Sequence, residues 1–273
     1  MARVAWEHLP ASVRHAVERH TGSVLGARSP AAGRSSDLST TLHTSAGLVF
    51  CKGIRQSSRG AWMHRNEVIV SPHLPGCAPR LLWTVEEDDW LLLGYEHVAG
   101  RHADFSPGSS DLPLVTDALA TLHGPAPSDV QSLSERLRAV SAWARLRAAP
   151  PDDLLSWQRE RLDHFVELER VAFDAVDGDA LIHSDLHPLN ILISSKARII
   201  DWAWACRAAP WVDHELFALR LVIAGHEPSP DPDRTAFAVA ICGLWEYRSR
   251  RSPAPHWDAL LRGARLWTQK ALR

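Results

Sequence analysis

Apolar and polar residues alternate over residues 38–44, turn at Ser45-Ala46-Gly47 and resume over 48–54, which predicts a β-hairpin. Residues 80–85 and 90–95 predict a second hairpin, joined through the acidic turn Glu86-Glu87-Asp88-Asp89. Ahead of them, residues 10–21 place Val13, Ala16 and Val17 on one helical face, with Gly22 as the stop and a first strand over 22–27. Residues 29–37 are turn-forming throughout, and a helix is expected over 60–71, ended by Pro72. After Arg101 the period becomes helical. Helices are predicted over 112–123, 133–148, 152–174 (N-capped by Asp152 or Asp153), 213–225, 234–248 and 256–272. Loops separate them over 106–110, 124–130, 206–212 and 228–232. The whole is an α+β chain whose sheet comes first and whose helices follow.

The stretch that breaks this pattern is 181–201, LIHSDLHPLNILISSKARIID, where short apolar runs carry His183, Asp185, Asn190 and Asp201. Ile191-Leu192-Ile193 and Ile199-Ile200 read as two strands of a hairpin. With Ser195-Lys196 as a two-residue turn, Asn190 and Asp201 face each other with Cβ atoms about 5 Å apart. An amide oxygen and a carboxylate at that separation suit a hard cation such as Mg²⁺. Asp185, five residues before Asn190, is then the carboxylate left for chemistry on whatever the metal holds. That division of labour suits phosphoryl transfer, where positioning and charge neutralisation carry most of the catalysis. A buried hairpin with polar caps is the plain alternative.

Composition narrows the classes without choosing among them. A chain of 273 residues has apolar content enough for one large domain or two lobes. A net charge of -2 excludes the strong basic bias of a nucleic-acid or acidic-membrane partner. The four cysteines, Cys51, Cys77, Cys206 and Cys242, show no CxxC spacing, which fits reduced thiols in a cytoplasm. The amino terminus lacks the apolar run of a secretory signal, and no stretch approaches 18 consecutive apolar residues, so no membrane segment is expected. Lysine occurs only at 52, 196 and 270, which singles out Lys52 on the return strand of the first hairpin. Standing alone, it reads as an exposed strand lysine.

His183-x-Asp185-x-x-x-x-Asn190 followed by Ile200-Asp201 resembles the catalytic and metal-binding loops of protein-kinase-like enzymes. The form with His187-Pro188-x-Asn190 and Asp201-Trp202 is similar to the aminoglycoside phosphotransferase family, which also includes choline, homoserine and methylthioribose kinases. The resemblance covers roughly residues 33–213 and implies a two-lobed kinase-like fold, with a small nucleotide-binding lobe over 1–98 and a larger catalytic and substrate-binding lobe over 99–273. ATP is expected between the lobes, with GTP as an alternative, and Mg²⁺ on Asn190 and Asp201. Asp185 is expected to accept or orient the proton of a small-molecule hydroxyl attacking the γ-phosphate. Val49-Phe50-Cys51-Lys52 resembles the strand whose lysine contacts the α- and β-phosphates, and Glu67 is the helix acid expected to pair with it. Residues 96–100 resemble the interlobe hinge, where the Glu96 carbonyl and Val98 amide meet adenine with Tyr95 behind them. The phosphate-covering loop departs from the protein-kinase pattern. It holds Gly33 alone, leaving backbone amides and the Ser35 and Ser36 hydroxyls for phosphate oxygens.

Around this core the readings stay open. His183 is expected to orient the loop, and His187 either faces substrate or is structural. Trp202, Trp204 and Trp211 either wall an acceptor pocket or fill a core. Asp213 either supports the catalytic loop near the acceptor or caps its helix. From Cys206 to the last residue stand seven acids against ten bases, a balance that disfavours a polycationic acceptor and favours a weakly charged one, such as an antibiotic, an intermediate or an amino alcohol. The competing classes are a nucleotide-binding protein without catalysis, and a metal-dependent hydrolase with no use for Lys52 or the hinge. Oligomeric state has no sequence signature here.

Overall fold

The computed structural model describes residues 4–30 and 36–273. In chain order the elements are α1 (Ala11–Thr21), β1 (Val24–Arg28), β2 (Leu38–Thr44), β3 (Gly47–Arg55), α2 (Ala61–Val70), β4 (Leu81–Glu87), β5 (Trp90–Glu96), β6 (Arg101–His102) and α3 (Asp111–Leu119). There follow α4 (Leu133–Val140), α5 (Ala142–Ala148), α6 (Ser156–Arg159), α7 (Leu162–Ala175), β7 (Ala180–Ile182), β8 (Ile191–Ile193), β9 (Ala197–Ile199), β10 (Cys206–Ala208), α8 (Val212–Ile223), α9 (Thr235–Arg251) and α10 (Trp257–Ala271). The chain forms two compact units, one of residues 1–103, 113–127 and 188–205, the other of 104–112, 128–187 and 206–273.

In the first unit, five antiparallel strands run in the order β1-β2-β3-β5-β4. Alternation along β2 and β3 sends Leu38, Leu42, Val49 and Cys51 to one face. There they pack with Trp83, Trp90 and the Val13, Ala16 and Val17 stripe of α1. Gly22, at φ 69, ends α1 in a conformation that glycine adopts without strain. The opposite face, with Ile54, Leu91, Leu93 and Tyr95, packs against Ala61 of α2. Gly94 in β5 lies under the Trp83 ring, where a Cβ would come within 2.0 Å of ring carbon. A second sheet of the same unit has the order β6-β8-β9.

The second unit is helical, with the short antiparallel pair β7-β10. Its centre is α9, buried continuously from Ala236 to Glu246, as befits a helix apolar on every side. Trp143 of α5 is fully buried, and its indole N–H donates to the Val239 carbonyl at 2.7 Å. Among the described residues no helix is long and apolar enough to cross a membrane.

Several expectations need correcting. Ser141, at φ 42, breaks the helix expected over 133–148 into α4 and α5. The helix expected to start at Asp152 starts at Leu162 with Arg161 before it, so neither Asp152 nor Asp153 caps it. Glu86 and Glu87 belong to β4, and the turn is made by Asp88 and Asp89 in left-handed conformations. The loop over 206–212 begins with β10, paired to β7. The hairpin over 190–201 has a different register: Ile191 pairs with Ile199 and Ile193 with Ala197, around a turn of Ser194, Ser195 and Lys196. Asn190 therefore faces Ile200, whose amide donates to the Asn190 carbonyl at 2.9 Å, and Asp201 lies one residue beyond the pairing expected for it.

Candidate functional site

Lys52 projects from the middle of β3 and is buried, with its ammonium 2.6 Å from Glu67 Oε1 and 3.1 Å from Asp201 Oδ1. Burial alone would discharge it. The Asp201 and Glu67 carboxylates outweigh that effect and hold its pKa above the ordinary lysine range. Burial pushes the Glu67 carboxyl up, and Lys52 pulls it back. The Tyr95 ring lies under the ammonium, 5.6 Å from centroid to nitrogen. A charged lysine between two carboxylates is an anchored cation, of the kind that can meet phosphate oxygens.

Asp201 follows β9 in a left-handed conformation, φ 62 and ψ 67, which turns its carboxylate out of the strand direction and toward Lys52. Asn190 closes a short 3₁₀ turn over Pro188–Asn190 and is 6% exposed. Both are oxygen donors of the hard type that Mg²⁺ takes, so the donor set would fit that ion. No group of three or more His, Cys, Asp or Glu side chains suited to a metal occurs among the described residues.

In the other unit, the loop after β7 carries His183, Ser184, Asp185 and His187. Asp213, on the first turn of α8, is fully buried; its carboxylate accepts from the His183 amide at 2.7 Å and the Ser184 amide at 2.9 Å. Ser184 is thereby held at φ 61. Asp213 is thus a buried anchor for this loop and does not cap α8, which corrects the capping alternative. The His183 ring is buried, and its Nδ1 accepts from the Asp185 amide at 3.2 Å. Asp185 itself is about one-third exposed, at 34%. His187 Nε2 lies 3.7 Å from Asp185 Oδ2, and Arg220 Nη2 of α8 lies 3.5 Å from Oδ1.

The remaining expected residues lie on both units. Ser35 and Gly33 lie outside the described residues. The Ser36 hydroxyl is 3.1 Å from Nε2 of His64, an imidazole that burial, with Lys52 nearby, brings down to about 3 and so keeps neutral. Glu96 ends β5 with its side chain 3.3 Å from Arg198, and Val98 is half-buried in the irregular segment that follows. Trp204 packs edge-on against Trp62 of α2 at 5.0 Å. Trp202 is buried and donates to the Ile199 carbonyl at 3.0 Å, and Trp211 packs on Phe237.

Three residues escaped sequence reasoning. Asn66, next to Glu67 on α2, donates its side-chain amide to the carbonyls of Ala203 and Ala205 at 3.1 and 2.9 Å. His64 and Arg220 are the others. The available signal was rarity for Asn66, one of two asparagines in the chain; His64 and Arg220 had none among 15 histidines and 27 arginines.

No protein-family model and no curated protein matches the chain. Solved structures do. A thermostable mutant of aminoglycoside phosphotransferase APH(4)-Ia, solved with AMP-PNP and hygromycin B, is similar with a TM-score of 0.66 at 14% identity, over 96% of this chain and 98% of that one. Choline kinase LicA from Streptococcus pneumoniae is similar with a TM-score of 0.61 at 12% identity, over 95% and 98% of the two chains. LicA in complex with AMP gives 0.57 at 13% identity, over 91% and 93%. The chain therefore has the α+β kinase-like fold of these enzymes, an antiparallel five-stranded sheet with a mainly helical part.

Proposed function

We propose that this protein is an ATP- and Mg²⁺-dependent phosphotransferase acting on a hydroxyl of a small molecule, with GTP as the alternative donor. The observation that carries the reading is the buried Lys52 ammonium held between Glu67 and Asp201, in a fold whose solved neighbours are small-molecule kinases. Lys52 is the residue for the phosphate oxygens, and Asn190 and Asp201 are those for the metal. The Glu96 carbonyl and Val98 amide are the adenine contacts, and the Ser35 and Ser36 hydroxyls and nearby amides cover the phosphates. Magnesium, when bound, neutralises charge on the phosphates and orients them. Asp185 accepts the acceptor's hydroxyl proton as the new oxygen–phosphorus bond forms and the bond to the departing ADP oxygen breaks. A cytoplasmic location fits the reduced cysteines, all of them free thiols.

The acceptor we favour is weakly charged. Cationic groups around Asp185 include Arg220 at 3.5 Å and Arg248, while the tail acid Asp213 is buried and occupied. A polycation would meet repulsion from these arginines. Hydroxyl-bearing antibiotics, biosynthetic intermediates and amino alcohols all satisfy this limit, so resistance and primary metabolism are both open roles. Incubation with Mg-ATP and a panel of such compounds should give one product heavier by about 80 daltons, the mass of an added phosphoryl group. Nucleotide binding with no product across a broad panel would favour the non-catalytic reading.

A further inference from the structure

Helix α8 meets the catalytic loop along one face. Asp213 and Arg220 stand seven residues apart, two helical turns, so their side chains leave α8 on the same side. Asp213 takes the His183 and Ser184 amides. Arg220 takes the other end, its Nε donating to the Leu186 carbonyl at 3.0 Å while Nη2 stands 3.5 Å from Asp185 Oδ1. The guanidinium is itself immobilised: its carbon lies 5.3 Å from the centroid of the buried Trp245 ring, and the side chain is 15% exposed. A rigid fork stacked on an aromatic ring and bonded to the neighbouring carbonyl loses little further entropy in facing a carboxylate.

We propose that Arg220 is a positioning residue for the proton-accepting carboxylate: its charged fork, 3.5 Å from Oδ1, fixes the orientation of Asp185. This rests on the reading of Asp185 as the group that acts on the acceptor hydroxyl. Among the charged or titratable groups facing Asp185 are His187 on its own loop at 3.7 Å, Arg220 on α8 at 3.5 Å, and Arg248 on α9. Arg220 is a cation fixed by its bond to the Leu186 carbonyl and its stacking on Trp245. Removing Arg220 takes away a cation 3.5 Å from the carboxylate, so the carboxylate's affinity for a proton rises. Removal also frees the carboxylate to rotate.

The test is a carbon-13 titration of the Asp185 carboxyl, assigned by its absence in Asp185→Asn, in the wild type, Arg220→Gln and Arg220→Lys. Arg220→Gln should raise the Asp185 midpoint by about one pH unit or more. The acid limb of the kcat profile should move with it, and KM for ATP should stay within about twofold. Arg220→Lys keeps the charge but lacks the fork, so its midpoint should stay near wild type while kcat falls about tenfold. A natively folded Arg220→Gln protein with an unmoved midpoint overturns the proposal. So does an Arg220→Lys protein with wild-type kcat, which decides the matter even if the glutamine variant fails to fold. Absence of transfer by the wild type would instead overturn the phosphotransferase reading, and the titration would still report on Arg220.

Discussion

Asn66 and Ala203, 137 residues apart in the chain, share a hydrogen bond of 3.1 Å, from the side-chain amide on α2 to a carbonyl two residues past Asp201. The same amide nitrogen also reaches Ala205. Helix α2 thus holds Lys52 through Glu67 and the segment after Asp201 through Asn66, on adjacent residues. Asn66→Ala leaves two buried carbonyls without their donor, at a cost of about 1 to 3 kcal/mol. Urea denaturation should show that loss, and Mg-ATP should raise the variant's Tm less than it raises the wild type's. Unchanged stability and an unchanged Mg-ATP shift would show that the clamp does not support the nucleotide site.

Glu246 gives a pH-dependent prediction. Its carboxylate is fully buried in the second unit, bonded to Arg265 at 2.6 Å, Arg250 at 2.6 Å and Gln158 at 2.8 Å. Burial opposes its ionisation, but the hydrogen bonds from Arg265, Arg250 and Gln158 prevail and hold its pKa below the usual carboxylate range. A carboxyl depressed on folding stabilises above its unfolded value, about 4.3, and the contribution disappears as the pH falls through the folded value. Glu246→Gln, which leaves two arginines facing an amide, should cost about 3 kcal/mol at pH 7. The gap from wild type should narrow progressively below about pH 4. A gap equally wide at pH 7 and pH 3 would contradict the assignment.

Acceptor charge is testable by competition. A polycationic aminoglycoside such as kanamycin, neomycin or gentamicin should be a poor acceptor, turned over at least about tenfold less efficiently than a weakly charged hydroxyl compound that reacts. Efficient turnover of kanamycin at micromolar concentration would place carboxylates around the acceptor where the present account has arginines.

What could be read in advance follows the range of the interactions involved. The two large hairpins and α1 were legible because period and turn chemistry act over a few residues. Lys52 stood out because lysine is rare and its strand sits ahead of a recognisable loop. The hairpin over 190–201 departs by one residue from the expected register because Ser194-Ser195-Lys196 closes a three-residue turn, and no hydrophobic pattern distinguishes that from a two-residue turn in strands of three residues. Ser141 breaks a helix by local left-handed geometry that composition does not announce. Asn66 and Arg220 both act on backbone carbonyls, which leave no trace in a sequence, and α8 and Leu186 meet across 34 residues.

The most direct measurement compares Asp185→Asn with wild type in two assays on the same preparation, phosphoryl transfer to an identified acceptor and the thermal shift given by Mg-ATP. Because Asp185 is assigned to the acceptor hydroxyl, and Lys52, Asn190 and Asp201 to the nucleotide and metal, the variant should lose transfer and keep the nucleotide-induced shift almost whole. Retention of more than about a tenth of wild-type turnover, or loss of the Mg-ATP shift together with turnover, would contradict this assignment.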